Sequence, residues 1–265
     1  MIMNPTENKQ KIADAFSAAA ATYDQAAYVE QEIGSRLLDR LSCIKIQPLR
    51  ILDLGCGTGY FTQRLRTLFP QAAIIGMDLA FGMVNYASKK QAVVPELNYC
   101  CADAEHLPFA DKAFDLIFSN CCFMATNNLE SLSKELQRVL AKDGLLLFTT
   151  LGPDTLKEFS LTDNWLDMHH IGDLFVQAQF ANPVVDAETL TFTYSQLNDL
   201  LQDLQETGNY EIADRTQIAK LHEPCSATFE VIYGHAWGRN VSQTQYTDAH
   251  GQVYIPIDQI TYLKT

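Results

Sequence analysis

The stretch Asp53-Leu54-Gly55-Cys56-Gly57-Thr58-Gly59 follows directly on the apolar run Ile51 to Leu54 and directly precedes a segment with helical patterning. Glycines there let the backbone turn tightly and approach a ligand, while the following helix start presents free N–H groups. A bare G-x-G-x-G also arises for packing reasons, so its surroundings decide. A second apolar run ends in Gly76-Met77-Asp78, and Asp78 lies 23 residues beyond Gly55, close to the roughly 20 expected for an acid that holds ribose hydroxyls. Enzymes that seat a pyrophosphate use G-x-G-x-x-G. Here the third glycine comes one residue early and an acid, Asp53, stands on the strand ahead of it, which suits a cationic ligand better than a diphosphate. A third run closes at Cys101-Ala102-Asp103-Ala104-Glu105 and a fourth at Phe118-Ser119-Asn120. An Asp at such a strand end can accept from an exocyclic amine such as adenine N6; the plainer reading of Asp103 is a solvated turn residue or helix cap. Leu79 and Met83, just after the acid of the second run, and Ser119, at the end of the fourth, complete the candidate ligand set.

Something must bring these residues together. From Arg50 the chain alternates short apolar runs with turns and helical stretches: Ile51 to Leu54, Ala73 to Met77, Leu97 to Cys101, Phe114 to Ser119 and Leu145 to Thr150. Runs hydrophobic on both faces that alternate with helices predict a parallel sheet covered on both sides, β-α-β-α throughout. The carboxyl ends of its strands line the crevice at the topological switch. Pro70 closes the helix that begins near Tyr60. Asn127 or Asn128 caps another that runs to about Ala141, with Asp143-Gly144 as its stop. Further along, Ile171 to Phe180 reads as helix, Pro183 to Tyr194 as strand, Gln196 to Thr207 as helix and Ala227 to Ala236 as strand. Those two late strands are expected to pair antiparallel at the sheet edge through a short connection. Before the sheet, Lys9 to Leu41 carries apolar residues at helical spacing. Residues 1–47 are therefore expected to form a helical cap on a domain spanning 48–265.

At 265 residues with 47% hydrophobic and 19% charged residues, the chain has the size and composition of one folded domain with a sizeable core. Its formal charge of −13 opposes attachment to phosphate backbones or anionic lipid, so neither nucleic acid nor membrane is expected as a partner. Seven cysteines, an odd number without CxxC spacing, suggest neither a disulfide framework nor a zinc site, and His169 and His170 lack ligand-like spacing. No metal is expected. The absence of a basic n-region before an apolar stretch points to the cytoplasm.

Taken together, D-x-G-x-G-x-G, Asp78 ending the second strand, A-D-A-E-x-L-P-F, F-D-x-I-x-S-N and R-V-L-x-x-D-G (Arg138 to Gly144) resemble class I S-adenosylmethionine-dependent methyltransferases over roughly residues 48 to 151. The resemblance implies a Rossmann-like doubly wound sheet, mostly parallel with an antiparallel edge strand, and S-adenosylmethionine as cofactor. Its glycine loop would pass the methionine moiety, Asp78 would bind ribose, and Asp103 and Ala104 would bind adenine. Phe16 to Ala27, Leu147 to Leu156, Asp167 to Gly172, Leu190 to Tyr194 and Ala227 to Trp237 are similar to the BioC family, the malonyl-acyl-carrier-protein O-methyltransferases of biotin synthesis. That likeness spans nearly the whole chain and implies methyl transfer to the free carboxylate of malonyl-acyl-carrier protein or malonyl-CoA. The chain departs from the family at Ala18, where an Arg usually follows Phe-Ser. It departs again at Cys121-Cys122-Phe123-Met124-Ala125, which lacks the family's Trp, and at Gly208-Asn209-Tyr210-Glu211. An arginine missing from a site that holds a carboxylate removes a bidentate, charge-assisted contact.

Tyr23 and Asn120 are the candidate catalytic residues, orienting acceptor or methyl donor, although a helix-face Tyr also serves as packed core. His235 and Trp237 match the family's motif, yet a strand histidine is usually structural. Lys157, Arg215 and Lys220 are candidates for a basic patch facing an acidic carrier protein. Two alternatives stay open: a class I methyltransferase for another small acceptor, and a divergent S-adenosylmethionine-binding paralogue without catalysis. A nicotinamide-dependent oxidoreductase is disfavoured by the early third glycine and by Asp53.

Overall fold

A computed structural model of the chain describes residues 5–90, 97–159, 165–206 and 224–239, with the short pairs 246–247 and 253–254. Three helices come first: α1 (Pro5–Ala19), α2 (Tyr23–Ala26) and α3 (Tyr28–Ser42). Then follow β1 (Arg50–Leu54), α4 (Tyr60–Leu68), β2 (Ala73–Asp78), α5 (Phe81–Lys90), β3 (Leu97–Cys101) and β4 (Phe114–Ser119). The remaining elements are α6 (Leu129–Val139), β5 (Leu140–Leu151), α7 (Met168–Gln177), β6 (Ala181–Tyr194), α8 (Leu197–Glu206), β7 (Cys225–Trp237), β8 (Tyr246–Thr247) and β9 (Val253–Tyr254).

Seven strands form one sheet in the order β3-β2-β1-β4-β5-β7-β6. Pairing is parallel from β3 through β5, while β7 runs antiparallel to both β5 and β6. This is the mostly parallel, doubly wound sheet with an antiparallel edge that the sequence led us to expect. Because successive side chains point to opposite faces, neighbouring apolar residues feed different layers. Ile51, Leu116, Leu145 and Val231 join α3, α4 and α8 on one face; Leu52, Ile117, Leu146 and Ile232 join α6 and α7 on the other. The segment before the sheet is not uniform. Helix α3 sinks Ile33, Leu37 and Leu41 into the first layer, whereas α1 lies against α5.

Three local expectations give way. Strict alternation fails between β3 and β4, where residues 102–113 contain turns and no helix; twelve residues interrupted by Pro108 leave no room for one. Asp143-Gly144 is not a helix stop. Helix α6, capped by Asn128, which accepts from Ser131 N at 3.0 Å, ends at Val139, and β5 begins at once because Leu140 pairs with Phe114 across a bulge. Asp143 sits inside that strand in the left-handed region, φ 58°. Finally, β6 and β7 are joined by α8 and residues 207–223 rather than by a short connection. No helix among the described residues is long and apolar enough to cross a membrane.

Candidate active site

The order of strands reverses between β1 and β4, and a cleft opens there at their carboxyl ends. The turn from β1 to α4 forms its floor. Gly55, Gly57 and Gly59 have φ of 73°, 52° and 79°, a region that other residues seldom adopt. The turn is pinned from below, since Gly55 N and Cys56 N both donate to Met77 O, at 2.8 and 3.0 Å. Gly55 also meets Cys122: a methyl group on it would lie 2.6 Å from Cys122 Cβ.

Asp78, at the end of β2, accepts from Gly57 N (2.9 Å, Oδ2) and Ala80 N (2.8 Å, Oδ1). The acid thus shapes the glycine turn, and with the Leu79 amide as a third backbone partner it keeps one acceptor site for a ligand. Burial pushes its carboxyl above the usual range against these backbone bonds. Asp53 lies beneath the turn, 2% exposed, and accepts from Thr62 Oγ1 at 2.5 Å. Burial pushes its carboxyl up to about 7, the Thr62 bond pulls it down, and the charge of Asp78 adds to the rise. Asp103, in the turn after β3, behaves in the opposite sense. Burial acts to raise it, but Lys9 and the Glu105 amide outweigh that, and it stays below the ordinary carboxylate value.

The roof comes from the first three helices, with Ile12, Phe16, Tyr23, Ala27, Glu30 and Gln31 facing the cleft. It is tied down at several points. Lys9 reaches Asp103 and Glu105 at 2.6 and 2.8 Å, Gly82 N donates to Ser17 Oγ at 3.0 Å, and Thr58 donates to Asp24, which also receives Lys90. Tyr23 has its hydroxyl pushed well above its ordinary value by burial, with Glu30 adding to this, so the phenol is a neutral donor. Asn120 Nδ2 donates to Glu30 O (2.9 Å) while its Oδ1 accepts from Thr149 Oγ1 (2.8 Å). Helix α3 is thereby fastened to the end of β4. Gly34 permits this closeness, because a methyl group there would overlap the Phe61 ring and lie 2.9 Å from Asn120 Nδ2.

Of the residues singled out in the sequence, Tyr23, Asp53, Gly55, Cys56, Gly57, Asp78, Leu79, Met83, Asp103, Ala104 and Asn120 all line this cleft. Gly59 does not; it stands at the start of α4 and gives the chain its left-handed entry to the helix. Ser119 does not either: it is fully buried, and its hydroxyl donates to Leu54 O at 3.1 Å, tying β4 to β1. Ala125 lines the cleft, whereas Ala18 is exposed and outside it. His235 sits in β7 away from the cleft. His169 and His170 sit at the start of α7, both backbone amides donating to Asp167. Lys157 lies 3.8 Å from Asp154; Arg215, Lys220 and the 208–211 stretch fall outside the described residues. Sequence reading missed Lys9, Asp24, Glu30 and Thr62, whose partners lie far along the chain or on another element.

The charge pattern is one-sided. Asp24, Glu30, Asp53, Asp78 and Asp103 line the cleft, and among the described residues no Lys, Arg or His does. Three nearby thiols are also affected: burial pushes Cys121 and Cys122 up to about 12 and Cys56 well above its ordinary value.

A family profile described as "Methyltransferase domain" matches residues 52–148. The chain is 39% identical over 255 residues to the malonyl-acyl-carrier-protein O-methyltransferase of Legionella pneumophila, covering 86% of this chain and 90% of that one. It is 37% identical to malonyl-acyl-carrier-protein O-methyltransferase 1 of Coxiella burnetii, covering 96% of each. Among solved structures, a putative methyltransferase from Bacillus halodurans superposes with a TM-score of 0.61 at 17% identity, over 78% of this chain and 99% of that one, a likeness of fold. The near full-length kinship and the shared sheet place the chain in the malonyl-acyl-carrier-protein O-methyltransferase family of class I methyltransferases.

Proposed function

We propose that this S-adenosylmethionine-dependent methyltransferase esterifies the free carboxylate of a malonyl thioester carried on acyl carrier protein. The observation that carries the reading is the cleft itself: a glycine turn shaped by Asp78, a wall of five carboxylates and a roof of helices, in a chain akin to that family over 96% of its length. The cleft fits the cofactor by its donor set. Asp78 keeps an acceptor site for a ribose hydroxyl, Asp103 keeps one for an amine, and the acidic wall suits a sulfonium. Bound there, the cofactor supplies an electrophilic methyl group.

The protein's own share is positioning. A malonyl carboxylate, with a pKa near or below about 4, is already ionised at neutral pH and needs no general base. Holding donor and acceptor in line supplies up to roughly 7–11 kcal/mol. Neutral Tyr23 can donate to the acceptor carboxylate, and Asn120 holds α3 at the end of β4 so that the roof and the floor keep their spacing. A cation and an anion become two neutral products, a change that a cleft closed to water by α1 and α2 favours. Residues 1–47 serve as the lid in this reading, with α3 anchored in the core and α1 and α2 closing over the floor. Among the described residues no basic side chain lines the cleft, and in this reading the Tyr23 hydroxyl meets the acceptor carboxylate.

The test is transfer from labelled S-adenosylmethionine to malonyl-acyl-carrier protein, with malonyl-CoA in parallel and Asp78→Ala as the cofactor control. Label on the carrier protein that vanishes in the variant is the expected result. Tight cofactor binding without transfer to either malonyl thioester would refute the acceptor while leaving the family assignment intact.

A further inference from the structure

Lys9 stands outside the cleft lining, yet it reaches one of the lining acids, Asp103. Its ammonium contacts both oxygens of Asp103, at 2.8 and 2.6 Å, and Glu105 Oε1 at 2.8 Å, with the side chain only 14% exposed. Glu105 in turn accepts from Asn127 N and Asn128 N, at 2.7 and 3.1 Å, just after Ala125 and Thr126, which line the cleft. One side chain on α1 thus joins the turn after β3 to the wall before α6. Lys9 and the Glu105 amide, at 3.0 Å, occupy Oδ1 of Asp103, and Lys9 takes one of the two sites on Oδ2; His106 Nδ1 stands 3.9 Å from Oδ2, beyond hydrogen-bond distance, which leaves one site for a further donor.

We propose that Lys9 is a positioning residue for the cofactor: it fixes the Asp103 carboxylate so that its remaining acceptor site meets an exocyclic amine, and so couples seating of α1 to recognition of the adenine ring. The proposal rests on the reading of the cleft as an adenosyl site. Without the ammonium, Asp103 and Glu105 are neighbouring carboxylates held only by backbone amides, and their repulsion swings Asp103 from the pose that accepts the amine. The same ammonium, with the Glu105 amide, holds the Asp103 carboxyl below its ordinary range against the burial that acts to raise it. A lysine whose only task were to hold α1 would affect every ligand of the cleft alike. One that works through Asp103 affects ligands according to what stands at position 6 of the purine.

The test uses calorimetry on the full chain with S-adenosylhomocysteine and with S-inosylhomocysteine, which carries an oxo group where adenine has the amine. Lys9→Met keeps the length of the stem and removes the charge, and Lys9→Arg restores it. The expected result is that Lys9→Met binds S-adenosylhomocysteine about tenfold more weakly, the range of one charge-assisted hydrogen bond. Its preference for the amino over the oxo ligand shrinks by a similar factor, and Lys9→Arg recovers most of both. Equal weakening of the two ligands, unchanged affinity, or tighter binding by Lys9→Met would overturn the proposal. Failure of the unsubstituted protein to bind S-adenosylhomocysteine would instead sink the adenosyl reading, and the proposal with it.

Discussion

Binding of a cationic cofactor is expected to strengthen as pH rises through neutrality, and Asp53 is the reason. Its burial beneath the glycine turn puts its carboxyl at about 7 despite the Thr62 bond, so at neutral pH half the ligand-free molecules hold a proton there. A positive charge in the cleft favours the ionised form and expels that proton. In the limit of complete ionisation on binding, affinity follows the ionised fraction, roughly 0.1 at about pH 6 and 0.75 at about pH 7.5, an increase of about eightfold. Calorimetry with S-adenosylmethionine in two buffers of different ionisation enthalpy measures both the rise and the proton released. Asp53→Asn, which can still accept from Thr62, should flatten the profile. The stability sign is opposite to that of a salt-bridged acid: the folded state holds the proton more tightly than the unfolded chain. Stability contributed by the protonated form is therefore present at low pH and lost between about pH 4 and 7, on the order of 4 kcal/mol. Asp53→Asn should accordingly raise the melting temperature of the ligand-free protein at about pH 8. A slope that survives in the Asn variant, or a flat profile in the unsubstituted protein, refutes this account of the acid.

Two further perturbations probe the roof. Tyr23→Phe keeps the ring that faces Phe16 at 6.1 Å between centroids but removes the hydroxyl; methyl transfer should fall about tenfold or more in kcat with little change in cofactor affinity, and unaltered kcat would remove Tyr23 from the site. Gly34→Ala forces α3 off the Phe61 ring and strains the Asn120 tie, so thermal denaturation should show a loss of about 1–3 kcal/mol, whereas a neutral outcome would mean that α3 can shift without cost.

The floor of the site was legible in the sequence because it is local. Gly55, Gly57 and Gly59 need left-handed backbone, the strand ahead of them is an apolar run, and Asp78 ends the next such run. The roof was legible only as helical periodicity, since what each residue meets depends on tertiary placement. Lys9 and Asp103 are separated by 94 positions, and nothing in the spacing of either announces the pair. Ser119 illustrates the converse. Its place at a strand end suggested the ligand, but the pleat turns its hydroxyl inward to Leu54. The break between α6 and β5 was misplaced for a similar reason, because Asp143-Gly144 carries the composition of a helix stop while cross-strand pairing of Leu140 with Phe114 starts the strand sooner.

The three cysteines around the glycine turn bear on self-preservation. An enzyme that holds an activated methyl group exposes its own walls to alkylation, and sulfur is the softest nucleophile a protein offers. Attack requires thiolate, and with Cys121 and Cys122 pushed up to about 12, about one molecule in 10⁴ to 10⁵ carries it at neutral pH. The burial that makes this corner of the cleft apolar thus also makes its sulfurs chemically quiet toward the reagent beside them.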